Sequence, residues 1–395
     1  MTDLETRAAP PRSAALRRAA PALLGYAAVR ALGLLALALW SGARGKSAYT
    51  LLTARWDSLW YTRVAELGYG YEVRLPNGDV HSNLAFFPLL PWLERLLHAA
   101  TPLSYAGAGF TVSLLASLAA AWGIFAVADL VHGRRAGVCA VLLWAVLPVG
   151  IVQSMAYSES LFTALAAWSL YAVLTGRWLT AGLLAALAGL TRPVGLAVVA
   201  AVWAAGIASF VRTRSDARPH GAHIEMHAPS PARRALAMLL APLGAAAYVL
   251  WVGHHTGKGP LGYLDVQAGW RNGFDGGYAF ARFVGDKFTS IPSALAGVGL
   301  IVGVGLVIWL YVVGVRQRQP LPLLVYTGVV TALALCASSY FGSKPRLLLP
   351  AFPLLLPLAV ALARLRTARS ALMVGGVAAL SAVYGAFWLN GSGPP

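Results

Sequence analysis

Continuous apolar runs of about twenty residues recur along the chain from Pro21 to Leu389. A helix of about twenty apolar residues is the element that crosses the ~30 Å hydrocarbon layer of a bilayer. The runs are unbroken and rich in Leu and Ala, whereas the strands of a membrane β-barrel are short and alternate in polarity. Only 11% of the residues are charged, against roughly 25% in an ordinary soluble domain. The sequence therefore predicts an all-α polytopic membrane protein and excludes a soluble globule.

We predict about eleven membrane spans. They cover residues 21–41, 103–130, 136–152, 157–174, 178–190, 194–211, 235–252, 291–314, 321–340, 347–363 and 371–389. The segment 84–100 is also apolar, but it is short and contains Pro88 and Pro91. We interpret it as re-entrant or interfacial. Residues 21–395 are expected to form one transmembrane domain behind a basic tail, residues 1–20.

The distribution of basic residues gives an orientation, because short cytoplasmic loops are enriched in Lys and Arg. With the N-terminus inside, the inner connections carry thirteen arginines and the short outer connections carry only Arg192, Lys344 and Arg346. We therefore expect the protein to lie in the plasma membrane, with the tail and the linker 212–234 in the cytoplasm. The loops 42–102 and 253–290 and the C-terminus then face outward. The net charge of +17 is explained by topology, so nucleic-acid binding is rejected.

The first outer loop contains a short helical pattern. Trp56, Trp60, Val64 and Leu67 recur at helical spacing, which predicts a helix lying in the membrane interface. Asp57 is placed to cap this helix. A carboxylate at the bilayer surface can also accept a proton from a sugar or lipid hydroxyl, and the two roles are compatible.

The segment that follows runs from polar residues into a broken apolar stretch. His81, Ser82 and Asn83 lead into Phe86-Phe87-Pro88. Irregular backbone at membrane depth is tolerated only where it is buried in protein or lines a cavity. The pattern indicates either a groove for a lipid chain or a loop packed against neighbouring helices.

Three short outer turns carry the other polar groups. They contain Tyr157-Ser158-Glu159-Ser160, Thr191-Arg192-Pro193 and Lys344-Pro345-Arg346. An arginine at a helix end often extends along apolar surface toward water and needs no partner. Outward positive charge nevertheless opposes the orientation rule, so an anionic partner such as phosphate gives these residues a reason to be there, and Arg binds phosphate in a bidentate geometry.

Other kinds of site have little support. Cys139 and Cys336 both lie in apolar runs, so neither a disulfide nor a cysteine metal site is indicated. His220, His223 and His227 form only a weak metal candidate in the proline-containing inner linker. The chain has neither a Gly-rich phosphate loop nor a serine nucleophile elbow, which leaves soluble-nucleotide chemistry without support.

Four motifs, in order and at matching spacing, resemble the PIG-V mannosyltransferases. They are Arg55-Trp56-Asp57 with Ala65-Glu66-Leu67-Gly68-Tyr69, His81-Ser82-Asn83-Leu84-Ala85-Phe86-Phe87-Pro88, Tyr157-Ser158-Glu159-Ser160-Leu161-Phe162 and Thr191-Arg192-Pro193-Val194-Gly195-Leu196. The resemblance is clearest over residues 55–200. It implies a GT-C membrane glycosyltransferase, an inverting enzyme that takes a sugar, typically mannose, from a polyprenyl-phosphate carrier on the non-cytoplasmic face. The composition, rich in Ala, Arg and Gly, suggests a bacterial member.

The resemblance also implies roles for individual residues. Asp57 would be the catalytic aspartate. Independently of the resemblance, the outward position of Arg192, Lys344 and Arg346 against the charge rule leads us to expect that they bind the donor phosphate. Positions 58 and 59 are not acidic, so we expect no metal and no cofactor. Further substrate contacts are expected from Arg55, Trp56, His81, Asn83, Tyr157 and Glu159, and a lipid groove from Phe86, Phe87 and Pro88.

Two other classes of protein stay open from the sequence. A transporter or lipid flippase commonly places charges near mid-membrane, and Arg30 is the clearest such charge here. A catalytically inactive scaffold is the other alternative. The acceptor, whether lipid, glycan or protein, is not indicated, and a small membrane partner subunit is kept open.

Overall fold

Helices make up nearly all of the regular structure in the computed structural model, which describes residues 12–216, 230–338 and 340–393. The predicted histidine cluster of His220, His223 and His227 lies outside the described residues. The helices are α1 Arg12–Gly42, α2 Ala48–Thr53, α3 Asp57–Leu67, α4 Leu89–Ala100, α5 Tyr105–His132, α6 Arg134–Ala145, α7 Glu159–Leu174, α8 Trp178–Gly189, α9 Leu196–Asp216, α10 Pro231–Leu240, α11 Leu243–His255, α12 Gly262–Gly269, α13 Tyr278–Gly285, α14 Ile291–Arg316, α15 Leu321–Cys336, α16 Lys344–Leu347, α17 Leu356–Arg364 and α18 Thr367–Leu389.

Two small antiparallel sheets accompany the helices. In the first outer loop, β1 (Glu72–Arg74) pairs with β2 (Val80–Ser82), in a register that places Val73 opposite His81. In the second sheet, β3 (Gly273–Phe274) pairs with β4 (Ala337–Ser338). The second sheet ties the loop after α12 to the end of α15.

The predicted all-α membrane architecture is confirmed. Within the described residues, six helices are long and apolar enough to cross a membrane, and a seventh crossing is formed if a pair bent by 75° counts as one span. The six are Ala14–Gly42, Tyr105–His132, Pro193–Arg212, Pro231–His255, Ile291–Arg316 and Thr367–Leu389. Three shorter apolar helices, α7, α8 and α15, accompany them. The total of about eleven spans stays a prediction.

The predicted span 136–152 is broken. Helix α6 ends at Ala145, and a 3₁₀ turn covers Gly150–Ser154. Pro148 lies in the gap, where its missing N–H cannot continue the helical hydrogen bonds. The guanidinium of Arg30 donates to the carbonyls of Ala145 and Gly150, so the one prominent mid-span charge satisfies backbone groups that the break leaves free.

The first outer loop contains the predicted short helix. α3 ends at Leu67 and is followed by Gly68, whose φ of 83° favours glycine. The cap position is occupied by Trp56 rather than Asp57, which is the first helical residue. The prediction that Asp57 is the N-cap is therefore wrong by one position, and its side chain is free to pair elsewhere.

Segment 84–100 does not form a span. A 3₁₀ turn, Asn83–Ala85, leads into α4, which has 12 residues and so extends only ~18 Å. One face of α4 packs against α5 and buries Leu90 and Glu94 completely. The short length of α4 agrees with the interfacial interpretation. The complete burial of Glu94, however, is not expected for a polar residue near the end of this segment.

The second outer loop packs on the first. The indole of Trp270, just after α12, donates to the Ser82 carbonyl at 3.0 Å and stacks on the His81 ring, with the ring centroids 4.0 Å apart. At the salt bridge between Arg271 and Asp79, the Nε and Oδ2 atoms are 2.6 Å apart. These contacts hold both loops as one layer at the same end of the helices.

Candidate active site

Two arginines and two carboxylates from four separate segments meet in one ion-pair network, which we call the charged cluster: Asp57, Glu159, Arg192 and Arg346. Arg346 Nη1 lies 2.8 Å from Asp57 Oδ2, and Arg346 Nε lies 3.3 Å from Glu159 Oε1. Arg192 Nη1 lies 2.5 Å from the same Glu159 oxygen. Glu159 therefore links the two arginines, and Arg346 links the two carboxylates.

Local structure explains how each side chain arrives. Asp57 and Glu159 are the first residues of α3 and α7, where the helix dipole stabilises negative charge. Arg192 lies three residues after the end of α8, in extended conformation before the 3₁₀ turn Pro193–Gly195. Arg346 lies in the short helix α16. The cluster thus forms where several helices begin or end.

Burial divides the two carboxylates. The side chain of Glu159 is 1% exposed and that of Asp57 is 26% exposed, while those of Arg346 and Arg192 are 9% and 13% exposed. A charge buried as deeply as that of Glu159 is tolerated only when it is paired. Glu159 is consequently a fixed counter-charge, whereas Asp57 is the more accessible of the two carboxylates.

Tyr61 and Ser158 extend the network. The Tyr61 hydroxyl and Ser158 Oγ are 2.7 Å apart, and Arg192 Nη1 donates to the same Ser158 oxygen at 3.2 Å. Burial raises the pKa of Tyr61, so its hydroxyl keeps its proton. Burial opposes the charge of Arg192, but Glu159, Tyr61 and Asp57 together outweigh it and leave the pKa of Arg192 raised. Sequence reasoning missed Tyr61 and Ser158 as site residues, although Tyr61 lies one helical turn after Asp57.

Arg55 and Trp56 build the turn that presents Asp57. Trp56 has a φ of 51°, a strained value for a non-glycine residue. The Arg55 guanidinium lies 3.9 Å from the Trp56 ring centroid and donates to the Leu389 carbonyl at 2.8 Å. Ser58 Oγ donates to the Arg55 carbonyl at 2.6 Å. The predicted substrate contacts Arg55 and Trp56 therefore occupy supporting positions next to Asp57.

Tyr157 and His81 lie at different distances from the cluster. The Arg346 guanidinium carbon lies 5.1 Å from the centroid of the buried Tyr157 ring, a cation–π geometry. His81 stacks on Trp270 in the loop layer, and burial lowers its pKa, so the ring is neutral near pH 7. No sequence motif pointed to Trp270, because the second outer loop carries none.

Asn83 is fully buried and holds the loop. Its Nδ2 donates to the Gly68 carbonyl at 3.0 Å, and its Oδ1 accepts from the Gly70 N–H at 3.0 Å. Gly70 has a φ of 113°, and the amide of Asn83 fixes this bend after α3. The structure gives Asn83 a supporting position rather than the open one expected of a substrate contact.

Phe86 and Phe87 are also turned inward rather than along an open groove. The Phe86 ring stacks on Trp60 with centroids 5.6 Å apart. The Phe87 ring lies 4.4 Å from Tyr248 of α11, and Pro88 is buried at the start of α4. Of the two readings of this segment, the structure favours a loop packed against its neighbours.

Lys344 lies two residues before Arg346 but does not join the cluster. Its Nζ donates to the carbonyls of Ala334 and Ala337, each at 2.8 Å. These groups lie at the end of α15, where helical carbonyls lack partners. Lys344 thus caps α15, and its three donors are largely committed.

No group of three or more His, Cys, Asp or Glu side chains that could hold a metal ion occurs in the described part of the chain. Metal independence stays a prediction.

Part of the chain is similar in sequence to known proteins. Residues 43–225 match the family described as Mannosyltransferase (PIG-V). GPI alpha-1,6-mannosyltransferase 2 of Mus musculus is 34% identical over 155 residues, which cover 36% of this chain and 29% of the mouse protein. The same enzyme of Rattus norvegicus is 33% identical over 161 residues, which cover 37% and 30%. Each match thus spans less than a third of the curated relative.

Among solved structures, ArnT from Cupriavidus metallidurans bound to undecaprenyl phosphate is similar in fold, with a TM-score of 0.50. The sequences are 14% identical, and the similarity covers 90% of this chain and 62% of ArnT. Residues 43–225, which contain Asp57, Glu159 and Arg192, are thus similar to the PIG-V mannosyltransferases, and the fold of the chain is similar to that of ArnT.

Proposed function

We propose that the protein is an inverting glycosyltransferase that moves a sugar, most simply mannose, from a polyprenyl-phosphate carrier to an acceptor hydroxyl. The observation that carries this proposal is the charged cluster. It places an accessible carboxylate, Asp57, against Arg346, which shares Glu159 with Arg192, at one end of the helices. The names of the curated relatives support mannose as the sugar.

The reaction is a single displacement at the anomeric carbon of the donor. The acceptor oxygen bonds to this carbon while the bond from the carbon to the phosphate oxygen breaks, and the electron pair leaves with the lipid phosphate. The acceptor proton passes to the Asp57 carboxylate, since the hydroxyl becomes acidic as the new bond forms. Arg192 and Arg346 stabilise the charge of the departing phosphate. We leave Lys344 out of this pair because its Nζ caps α15.

A lipid-linked donor suits a cluster located where helices end, because the polyprenyl chain stays in the bilayer while the phosphate reaches the polar layer. The solved complex of ArnT with undecaprenyl phosphate supports such a carrier for this fold. We propose that this layer faces away from the cytoplasm, in the plasma membrane, as the charge distribution predicts. Lipid, glycan and protein acceptors all remain compatible with this reaction.

The experiment that tests the function is transfer of radiolabelled mannose from polyprenyl-phosphate mannose to a membrane extract by the purified protein. Asp57→Asn removes the base but keeps the size of the side chain. We expect at least a ~100-fold loss of transfer, the lower end of what general-base catalysis contributes, with normal yield and elution. A variant that transfers the sugar at the wild-type rate would contradict the assignment of Asp57.

The same assay tests the need for a metal. Position 58 is Ser and position 59 is Leu, so Asp57 has no acidic neighbour to share a cation. We expect transfer to continue at an undiminished rate after treatment with EDTA. Loss of transfer that Mn²⁺ or Mg²⁺ restores would overturn metal independence.

The structure removes the main sequence argument for a transporter, which is the charge of Arg30 near mid-membrane. Arg30 donates to the carbonyls of Ala145 and Gly150, on the two sides of the break after α6, and so stabilises a broken helix instead of facing a path through the membrane. Solute flux without sugar transfer in the reconstituted protein would revive that alternative.

A further inference from the structure

Among the described residues, the charge balance of the charged cluster leaves neither arginine unpaired for a phosphate. Two arginines face two carboxylates: Glu159 is within salt-bridge distance of both, and Asp57 is within that distance of Arg346. A sugar phosphodiester brings one more negative charge. Binding it among four paired groups requires one carboxylate to give up its arginine, since an extra unpaired anion at a buried site is costly.

The two carboxylates are not equally able to yield. Glu159 is 1% exposed and is held by two arginines at the first position of α7. Without its partners it would be a buried unpaired charge. Asp57 is 26% exposed and has one arginine partner, so water or an acceptor can replace that contact. Asp57 is therefore the carboxylate that a phosphate displaces.

Resting on the proposed function, we propose that Arg346 exchanges partners during the reaction: it neutralises Asp57 in the donor-free protein and releases Asp57 when the donor phosphate binds. Glu159 keeps both arginines in place throughout and acts as a positioning residue. Lys344 cannot take over from Arg346, because its ammonium group is held by the carbonyls of Ala334 and Ala337.

The exchange of partners by Arg346 sets the order in which donor and acceptor bind. In the donor-free protein the Oδ2 atom of Asp57 accepts a charged hydrogen bond from Arg346 at 2.8 Å, so this oxygen is occupied and the carboxylate is a poor base. Arrival of the phosphate frees the base at the moment when a sugar is present to receive the acceptor oxygen. Donor binding consequently precedes productive acceptor binding.

The test measures binding of a polyprenyl phosphate to the purified full-length protein, by titration in detergent. In wild type, Asp57 competes with the phosphate for Arg346. Asp57→Asn removes this competitor, so we expect affinity to rise by about three- to tenfold, the scale of a partly exposed ion pair. Asp79→Asn is the matched control, because Asp79 pairs with Arg271 in the loop layer. It should leave the affinity unchanged.

A double-mutant cycle separates exchange from simple repulsion. In the Arg346→Ala background there is no arginine to compete for, so Asp57→Asn should no longer raise the affinity. An equal rise in both backgrounds would show that Asp57 merely repels the phosphate and would overturn the exchange. An unchanged or lower affinity of Asp57→Asn in the wild-type background would overturn it as well.

Failure of the proposed function has a different signature. If Arg192→Ala and Arg346→Ala both bind the polyprenyl phosphate as tightly as wild type does, the phosphate site itself is wrong and exchange is overturned with it. If both variants bind it at least about tenfold more weakly while Asp57→Asn gives no gain, the phosphate site stands and only the exchange fails.

Discussion

Glu94 is the residue whose environment departs most from what its type predicts. Its side chain on α4 is fully buried, and neither carboxyl oxygen has a hydrogen-bond partner in the described part of the chain. Burial raises its pKa well above the usual value, because the ionised form loses its hydration. α4 lies outside the predicted spans, and Glu94 faces Gly109 near the start of α5.

The sign of the effect on stability follows from linkage. A carboxyl with a raised pKa in the folded protein binds its proton more tightly there than in the unfolded chain, so its cost to folding is absent below the unfolded pKa and grows as pH rises. We expect Glu94→Gln to raise the thermal unfolding temperature above that of wild type at pH 7.5, with the difference shrinking toward pH 4. Thermal unfolding followed by tryptophan fluorescence measures this.

The control for Glu94→Gln is Glu66→Gln, which neutralises an exposed carboxylate on α3. It should leave the unfolding temperature almost unchanged at both pH values. A gain from Glu94→Gln of the same size at pH 4 and pH 7.5 would mean that shape, not protonation, sets the stability at this position.

At the same scale, the sequence identified all four members of the charged cluster but not their contacts. Asp57, Glu159, Arg192 and Arg346 were each candidates because of residue type and motif. Their pairing depends on folding, since Asp57 and Arg346 are 289 positions apart in the chain. The sequence also did not show which polar side chains are exposed. A polar residue can face a substrate or can hold a loop, as Asn83 does, and only the packed structure distinguishes the two.

Among the elements, α8 packs closely against α11 because glycines lie where the two helices meet. A Cβ on Gly244 of α11 would lie 1.8 Å from the Ala186 carbonyl oxygen of α8. A Cβ on Gly189, at the end of α8, would lie 2.7 Å from the Ala245 backbone nitrogen. The two helices approach so closely that glycine is required, and α8 leads directly to Arg192.

Adding a methyl group at Gly244 should therefore be costly. We expect Gly244→Ala to destabilise the protein by about 1–3 kcal/mol, the usual cost of overpacking, and to lower its thermal unfolding temperature. Gly299→Ala on α14 is the matched control, because no atom lies within 4 Å of its Cβ position and Ala favours the helix. Equal unfolding temperatures for the two variants would contradict the close packing of α8 and α11.

Hydropathy predicted the positions of the long helices well, but it did not predict where a helix is broken. The runs gave the long helices α5, α14 and α18 to within a few residues, because length and apolar content decide membrane crossing. The run 136–152 concealed the end of α6, since the carbonyls freed near Pro148 find a partner in Arg30. A distant side chain that satisfies a broken helix leaves no local trace in the sequence.

For the whole molecule, the arrangement depends on two loops that are far apart in the chain and lie in one layer. Trp270 reaches the Ser82 carbonyl, and Arg271 pairs with Asp79. Both loops must then be on the same side of the membrane. That agrees with the distribution of arginines, which places loops 42–102 and 253–290 together and away from the basic inner connections.

The orientation can be measured with single cysteines in a background where Cys139 and Cys336 are replaced by Ala. The two labelling sites are Asn77→Cys and Gln317→Cys. Asn77 lies in the exposed β1–β2 turn of the outer loop layer, and Gln317 lies in the exposed turn between α14 and α15. Because outward arginines are rare and α14 ends in Arg316, we expect an impermeant maleimide to label Asn77→Cys in intact cells and Gln317→Cys only after permeabilisation. Labelling of Gln317→Cys alone in intact cells would invert the orientation and move the charged cluster to the cytoplasmic side.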